Sequence, residues 1–161
     1  MTSAIQLDYE ELDNETTLSE ADKALIDAAR TATKDAYAPY SGFKVAAAAR
    51  LQNGTVLTGT NQENASYPVG ICAERTLLAT VGAMFPNAPI DTIAITYLNT
   101  APNSQSDKPV APCGVCRQTL LEYENRTKTP IRLILTGFTG KIIIIKQAGW
   151  LLPFSFSASD M

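Results

Sequence analysis

The chain has 161 residues with 13 basic and 16 acidic side chains, three cysteines and no histidine, for a net charge of −3 and a pI near 4.9. That length allows one domain, residues 1–161, with a substantial core. The acidic balance argues against a polynucleotide partner, because polyanion affinity comes largely from clustered Lys and Arg. No apolar run approaches the ~20 residues needed to cross a bilayer, no basic-then-apolar leader is visible, and three cysteines cannot all pair. A reducing, cytoplasmic setting and a small, near-neutral substrate are therefore expected.

Residues 1–17 are acidic, and the brief alternation in "IQLDYEEL" suits either an edge strand or an extension packed down on the domain. From Leu18 the apolar positions Ala21, Leu25, Ala28, Ala32 and Ala36 fall on one face of a helix. Thr17 with Glu20, or Ser19 with Asp22, can cap its start, and Pro39 ends it after Tyr37. "FKVAAAARLQNGTVLTG" reads as a hairpin, with Asn53-Gly54 suited to a type I′ turn. A polar segment follows. A helix then begins near Cys72 with Ala73, Leu77 and Val81 facing a sheet, and "IDTIAITYL" is a strand. The turn-rich loop from Asn99 to Ala111 delivers the chain to a second C-terminal-half helix starting at Cys113. Strands at "IRLIL" and "KIIII" and a short "QAGWLLPFSF" tail complete the order. Such an alternation predicts a layered α/β domain, a mixed sheet of about five strands flanked by helices.

The chemistry sits in "VAPCGVCRQ" and "CAERT". A C-x-x-C pair alone suits a redox couple, two structural thiols or half of a metal site. Cys72 and Cys113 both stand at expected helix starts, where unpaired N–H groups and the helix dipole favour thiolates. If they converge with Cys116, three thiolates would leave one tetrahedral position of a zinc ion open, the pattern of a catalytic rather than a structural site. With no histidine, a proton shuttle must be another group, and Glu74, two residues after Cys72, is the candidate. Three thiolates and one Zn²⁺ sum to −1, so Arg75 and the backbone N–H groups after Cys113 are expected to donate to sulfur and offset that charge.

Taken with "YAPYSGFKV", "GTNQENASYPVGICAERT", "PCGVCRQ" and "LLPFSF" in that order, the chain resembles the homotetrameric zinc-dependent cytidine deaminases from about Leu18 to Phe156. The resemblance implies a three-layer cytidine-deaminase-like fold. It also implies one Zn²⁺ per chain on Cys72, Cys113 and Cys116, with Glu74 moving protons. Hydrolytic deamination of cytidine and deoxycytidine, in pyrimidine salvage, would be the activity. By the same resemblance Asn61 and Glu63 bind the ribose 3′-hydroxyl, Phe43 and Phe156 pack near the base or sugar, and Ala65 and Ala73 offer backbone groups to the base edge. Tyr67 would complete the site of a neighbouring subunit in a tetramer with shared sites. Departures stand out: Ala46 replaces a frequent glycine on a strand expected near the pocket, the loop from Asn99 to Ala111 is long, and residues 1–17 precede the matched core; the loop and the extension are the places where oligomer contacts or substrate access would differ.

Plainer readings stand beside these. Arg75 suits an exposed ion pair, Phe43 and Phe156 suit core packing, Tyr67 before Pro68 suits a turn, and Asn61 and Asn64 are turn formers. An aminohydrolase acting on another cytosine nucleoside, such as blasticidin S, would keep the same zinc chemistry. A thiol oxidoreductase or a non-catalytic zinc protein would show no deamination.

Overall fold

The four alanines of "VAAAAR" explain how the layers meet. Ala46 to Ala49 are all fully buried in strand β2 (Phe43–Leu51), so the middle of the strand presents only methyl groups to the layers on its two faces. The computed structural model describes residues 2–161. Its other strands are β1 (Glu10–Leu12), β3 (Val56–Thr60), β4 (Ile90–Asn99), β5 (Arg132–Thr136) and β6 (Ile142–Ile145). They form one sheet in the order β1-β6-β5-β4-β2-β3, with β4 and β5 parallel and every other pair antiparallel.

Helix α1 (Glu20–Ala32) covers one face with Leu25, Ile26 and Ala29 packed on Ala48, Ala94, Ile134 and Ile144. Helices α2 (Ala73–Met84) and α3 (Gly114–Thr127) cover the other, where Leu77, Val81 and Leu120 meet Ala47, Ala49, Ile93, Ile95 and Leu133. The three layers expected of this sequence are present. The sheet has six strands instead of about five, because residues 10–12 pair with β6 as an edge strand. That outcome selects the edge-strand alternative for the N-terminal extension. Lys141 pairs with Glu11 at 2.5 Å across this edge, and such charges keep the short β1 from recruiting another strand.

Two local expectations need correction, and one pair of alternatives is resolved. The buried face of α1 is rotated relative to the alanine stripe: Ala21 is exposed and Asp22 is buried. Asp22 is accommodated because Arg50 on β2 and Arg132 on β5 reach its carboxylate at 3.3 and 3.1 Å. Of the two proposed caps, Ser19 acts, its hydroxyl accepting the Asp22 N–H at 3.2 Å. The β2–β3 turn is not type I′. Only Gly54 has a positive φ (86°), the Gly54 N–H closes on the Leu51 carbonyl at 2.9 Å, and the Asn53 side chain accepts the Thr55 N–H. This arrangement, one left-handed glycine after an ordinary turn, is the usual longer-loop solution for a hairpin.

The topology decides where chemistry can occur. Strand β2 lies between β3 and β4 and is antiparallel to both, so β3 and β4 run in the same direction and end on the same side of the sheet. The segments leading to α2 and α3 start from those two ends, which brings Cys72 and Cys113, far apart in sequence, to one place.

Candidate metal centre and substrate cavity

Cys72 is the N-cap of α2 and Cys113 the N-cap of α3, both with extended backbone. Cys116, one turn into α3, is fully buried. The Cys72 and Cys113 sulfurs are 3.8 Å apart, those of Cys113 and Cys116 are 3.5 Å apart, and all three lie within 4.8 Å of one another. Zn–S bonds of about 2.3 Å in a tetrahedron require S···S separations of about 3.8 Å, so the cluster could hold one zinc ion.

The electrostatics point the same way. A hydrogen bond from Cys116 pulls the Cys72 thiol down to about 6, against its partial burial and the nearby Glu74 charge, with smaller help from Cys113 and from the positive charge of Arg75. Cys116 moves in the opposite direction, pushed above the ordinary thiol range by Cys72 first and by burial second. Three thiolates at this spacing need a cation among them.

Arg75 does not make the contacts expected of it. It is half-buried, and among the described residues no hydrogen bond joins it, or the backbone N–H groups after Cys113, to a cysteine sulfur. Its influence on Cys72 is through charge alone. Arg117, next to Cys116, performs a task the sequence did not suggest. It donates to the Pro112 carbonyl at 2.8 Å and to the Leu151 carbonyl at 3.0 Å, tying the residue before Cys113 to the C-terminal segment. Glu124 secures the same segment by accepting the Ala148 and Gly149 N–H groups, each at 3.0 Å.

Glu74 lies in the first turn of α2 and is 5 % exposed. Burial raises its carboxyl pKa, outweighing hydrogen bonds from its own backbone N–H and from Cys116. It opens onto a cavity of about 630 Å³ that also includes Cys72, Cys113, Phe43, Asn61 and Glu63. That size lies within the usual range for small-molecule sites, about 300–1,000 Å³.

The remaining sequence-predicted residues divide. Ala73 and Tyr67 line the cavity, Tyr67 with 89 % of its surface exposed. Ala65 and Phe156 do not line it; Phe156 is exposed and its carbonyl accepts a hydrogen bond from Gln118. Ala46 also lies outside the lining. In β2 side chains alternate, so Phe43 and Val45 face the cavity while Ala46, like Ala48, faces the α1 side. Its added methyl group is therefore on the opposite face of the sheet from the pocket.

Asn61 is more than a turn former. Its amide accepts the Val45 N–H at 2.8 Å and donates to the Phe43 carbonyl at 2.9 Å, extending the β2–β3 pairing by one side chain. Glu63 receives the Ser41 hydroxyl at 2.5 Å and the Tyr40 and Ser41 N–H groups at 2.9 and 3.3 Å. These bonds, the Ser41 hydroxyl first, hold its carboxyl below the ordinary glutamate range. Phe43 stacks on Tyr97 at 4.6 Å between ring centres. Sequence reasoning missed Val45, Ile71 and Val110 in the cavity wall. Strand alternation from Phe43 was a usable signal for Val45; the other two sit in irregular segments that carry no period.

Residues 19–130 match the family model described as the cytidine and deoxycytidylate deaminase zinc-binding region. A cytidine deaminase of Halalkalibacterium halodurans is 37% identical over 85% of this chain and 95% of its own length. One from Sporosarcina psychrophila is 36% identical over 85% of this chain and 92% of its own. The crystal structure of the Burkholderia pseudomallei cytidine deaminase superposes with a TM-score of 0.71 at 40% identity, covering 83% of this chain and 98% of that one. The chain belongs to the cytidine and deoxycytidylate deaminase zinc-binding family.

Proposed function

We propose that this chain is a zinc-dependent cytidine deaminase, a hydrolase that converts cytidine and deoxycytidine to uridine and deoxyuridine with release of ammonia. The observation that carries the reading is the gathering of three cysteine sulfurs at zinc-compatible spacing beside a buried glutamate, in a cavity sized for a nucleoside. Family membership and the cytidine deaminases among its relatives support it.

Cys72, Cys113 and Cys116 would hold the ion. When bound, zinc supplies Lewis acidity, lowering the pKa of a water from ~15.7 toward ~7. The remaining work belongs to side chains. Glu74 takes a proton from the attacking water and delivers it to ring N3 so that C4 becomes electrophilic, then takes the proton of the new C4 hydroxyl and passes it to the amino group, which leaves as ammonia while the C4 carbonyl forms. A carboxylate beside a ligand, buried so that its pKa is raised, is suited to both accepting and donating near neutral pH. Phe43 offers an apolar surface to the base or sugar, and Ala73 and Ala65 offer backbone groups to the base edge. Asn61 and Glu63 bind the ribose 3′-hydroxyl.

The exposed side chains of Tyr67, which lines the cavity, and of Val69, Phe154 and Phe156 elsewhere on the surface support a homotetramer in which neighbouring subunits complete each site. No helix among the described residues is long and apolar enough to cross a membrane. Three unpaired cysteines suit a cytoplasmic enzyme of pyrimidine salvage, and a single catalytic domain accounts for the whole chain. The test is zinc per chain measured together with ammonia release from cytidine, deoxycytidine and blasticidin S. One zinc with turnover of the first two is expected. Activity on the antibiotic alone would shift the substrate assignment, and no ammonia from any of them would refute deamination.

A further inference from the structure

In the bend that leads into β2, one hydroxyl both accepts and donates. Ser41 Oγ accepts the Phe43 N–H at 3.0 Å and donates its only proton to Glu63 Oε1 at 2.5 Å. The other carboxylate oxygen, Oε2, is held by the Tyr40 and Ser41 N–H groups. Around this bend Gly42 has a φ of 68°, its N–H closes on the Ala38 carbonyl at 3.0 Å, and its carbonyl receives both the N–H and the hydroxyl of Thr100. The bend is therefore anchored independently of Ser41. Ser41 itself lines the cavity.

We propose that Ser41 is a positioning residue for the sugar end of the substrate, orienting the Glu63 carboxylate toward the ribose. The inference rests on Glu63 being the ribose 3′-hydroxyl acceptor. An ionised carboxylate has about four lone-pair sites. Three donors already occupy Glu63, and they come from the 40–41 side, which leaves a single direction for a further hydroxyl. Without the Ser41 hydroxyl, Oε1 loses its only partner and the carboxylate can turn about the bonds to Oε2. The Ser41 hydroxyl is also the first cause of the lowered Glu63 pKa, which keeps this group an acceptor at neutral pH.

The experiment is steady-state deamination of cytidine and 3′-deoxycytidine by the zinc-loaded wild type, Ser41→Ala, Ser41→Thr and Glu63→Gln, with zinc content and Tm measured for each. For Ser41→Ala, KM for cytidine should rise about tenfold, the usual worth of one charge-assisted hydrogen bond, with kcat, zinc content and Tm nearly unchanged. 3′-Deoxycytidine has no hydroxyl to position, so its KM should hardly move. Ser41→Thr keeps the hydroxyl and should restore the cytidine KM. Equal losses on both substrates, no loss on either, or no rescue by threonine would overturn the positioning role. Glu63→Gln separates the two layers of the argument. If it discriminates between the substrates while Ser41→Ala does not, the Ser41 inference alone fails; if Glu63→Gln does not discriminate, the ribose assignment of Glu63 fails and the Ser41 inference falls with it.

Discussion

Replacing Gly59 with alanine tests whether the sheet sets the spacing of the metal centre. Gly59 is in β3 directly under α2, and a Cβ built there would lie 2.3 Å from the Leu77 nitrogen and 2.7 Å from both the Ala73 carbonyl oxygen and the Leu77 Cα. Ordinary contact begins near 3.4 Å, so α2 must retreat from the strand by about 1.1 Å. All three obstructing atoms are helix backbone, which cannot rotate aside. Cys72 caps that helix and Glu74 is in its first turn, whereas Cys113 and Cys116 are carried by α3 and do not share the displacement. Overpacking of this kind costs about 1–3 kcal/mol in stability, and a misplacement of about 1 Å can lower turnover ~100-fold. Chelator competition would measure zinc affinity, ammonia release would measure turnover, and a thermal melt would measure stability. Gly54→Ala serves as the comparison. Gly54 has a φ of 86° but nothing within 4 Å of a built Cβ, so that change strains a remote turn and should lower Tm without weakening zinc. Wild-type zinc affinity and turnover in Gly59→Ala would refute the reasoning.

Other perturbations separate the roles of individual side chains. Glu74→Gln should keep zinc and Tm while turnover falls at least ~100-fold, the low end for a lost general acid–base; substantial residual ammonia release would remove Glu74 from the proton path. Arg75→Ala should lower activity more than stability, because its charge helps to lower the Cys72 pKa without any hydrogen bond to sulfur, and rates equal to wild type would show that this charge is dispensable. Asp22 concerns acid stability. Burial raises its pKa, but the hydrogen bonds and charges of Arg132, Ser19 and Arg50 outweigh that and hold it below 3.8. A carboxyl lowered on folding stabilises above its unfolded pKa and loses that contribution as pH falls through the folded one. Asp22→Asn should therefore lower Tm at pH 7 by about 6–12 °C, for roughly 3 kcal/mol from a broken buried pair. The gap to wild type should close below about pH 4; a constant gap down to pH 2, read by circular dichroism, would contradict the linkage.

The regular elements were legible because their periods are strong. Ala73, Leu77 and Val81 recur at helical spacing and all three are fully buried, and the apolar run "IIII" is a buried strand. Failures came where a tertiary partner overrode the local pattern. The alanine stripe of α1 pointed to Ala21, but two arginines from neighbouring strands made it cheaper to bury Asp22. For the acidic start of the chain, the sequence left an edge strand and a packed extension open, and the open edge of β6 decided for the strand. Arg75 looked like a sulfur donor from its spacing alone, and the structure gives it no such bond.

Composition and motif determined the kinds of atoms available: three thiols, no imidazole, and a glutamate two residues from a cysteine, which together imply sulfur ligation and carboxylate proton transfer. The tertiary structure decided their arrangement. A central antiparallel strand makes β3 and β4 end on the same side of the sheet, and the missing side chain of Gly59 in β3 lets α2 approach closely, with Cys72 at its start 3.8 Å from Cys113. It also decided that Ser41, Phe43 and Glu63 form one connected group. Hydrogen bonds between residues some twenty positions apart depend on how the chain folds back on itself, and no local period in the sequence encodes that.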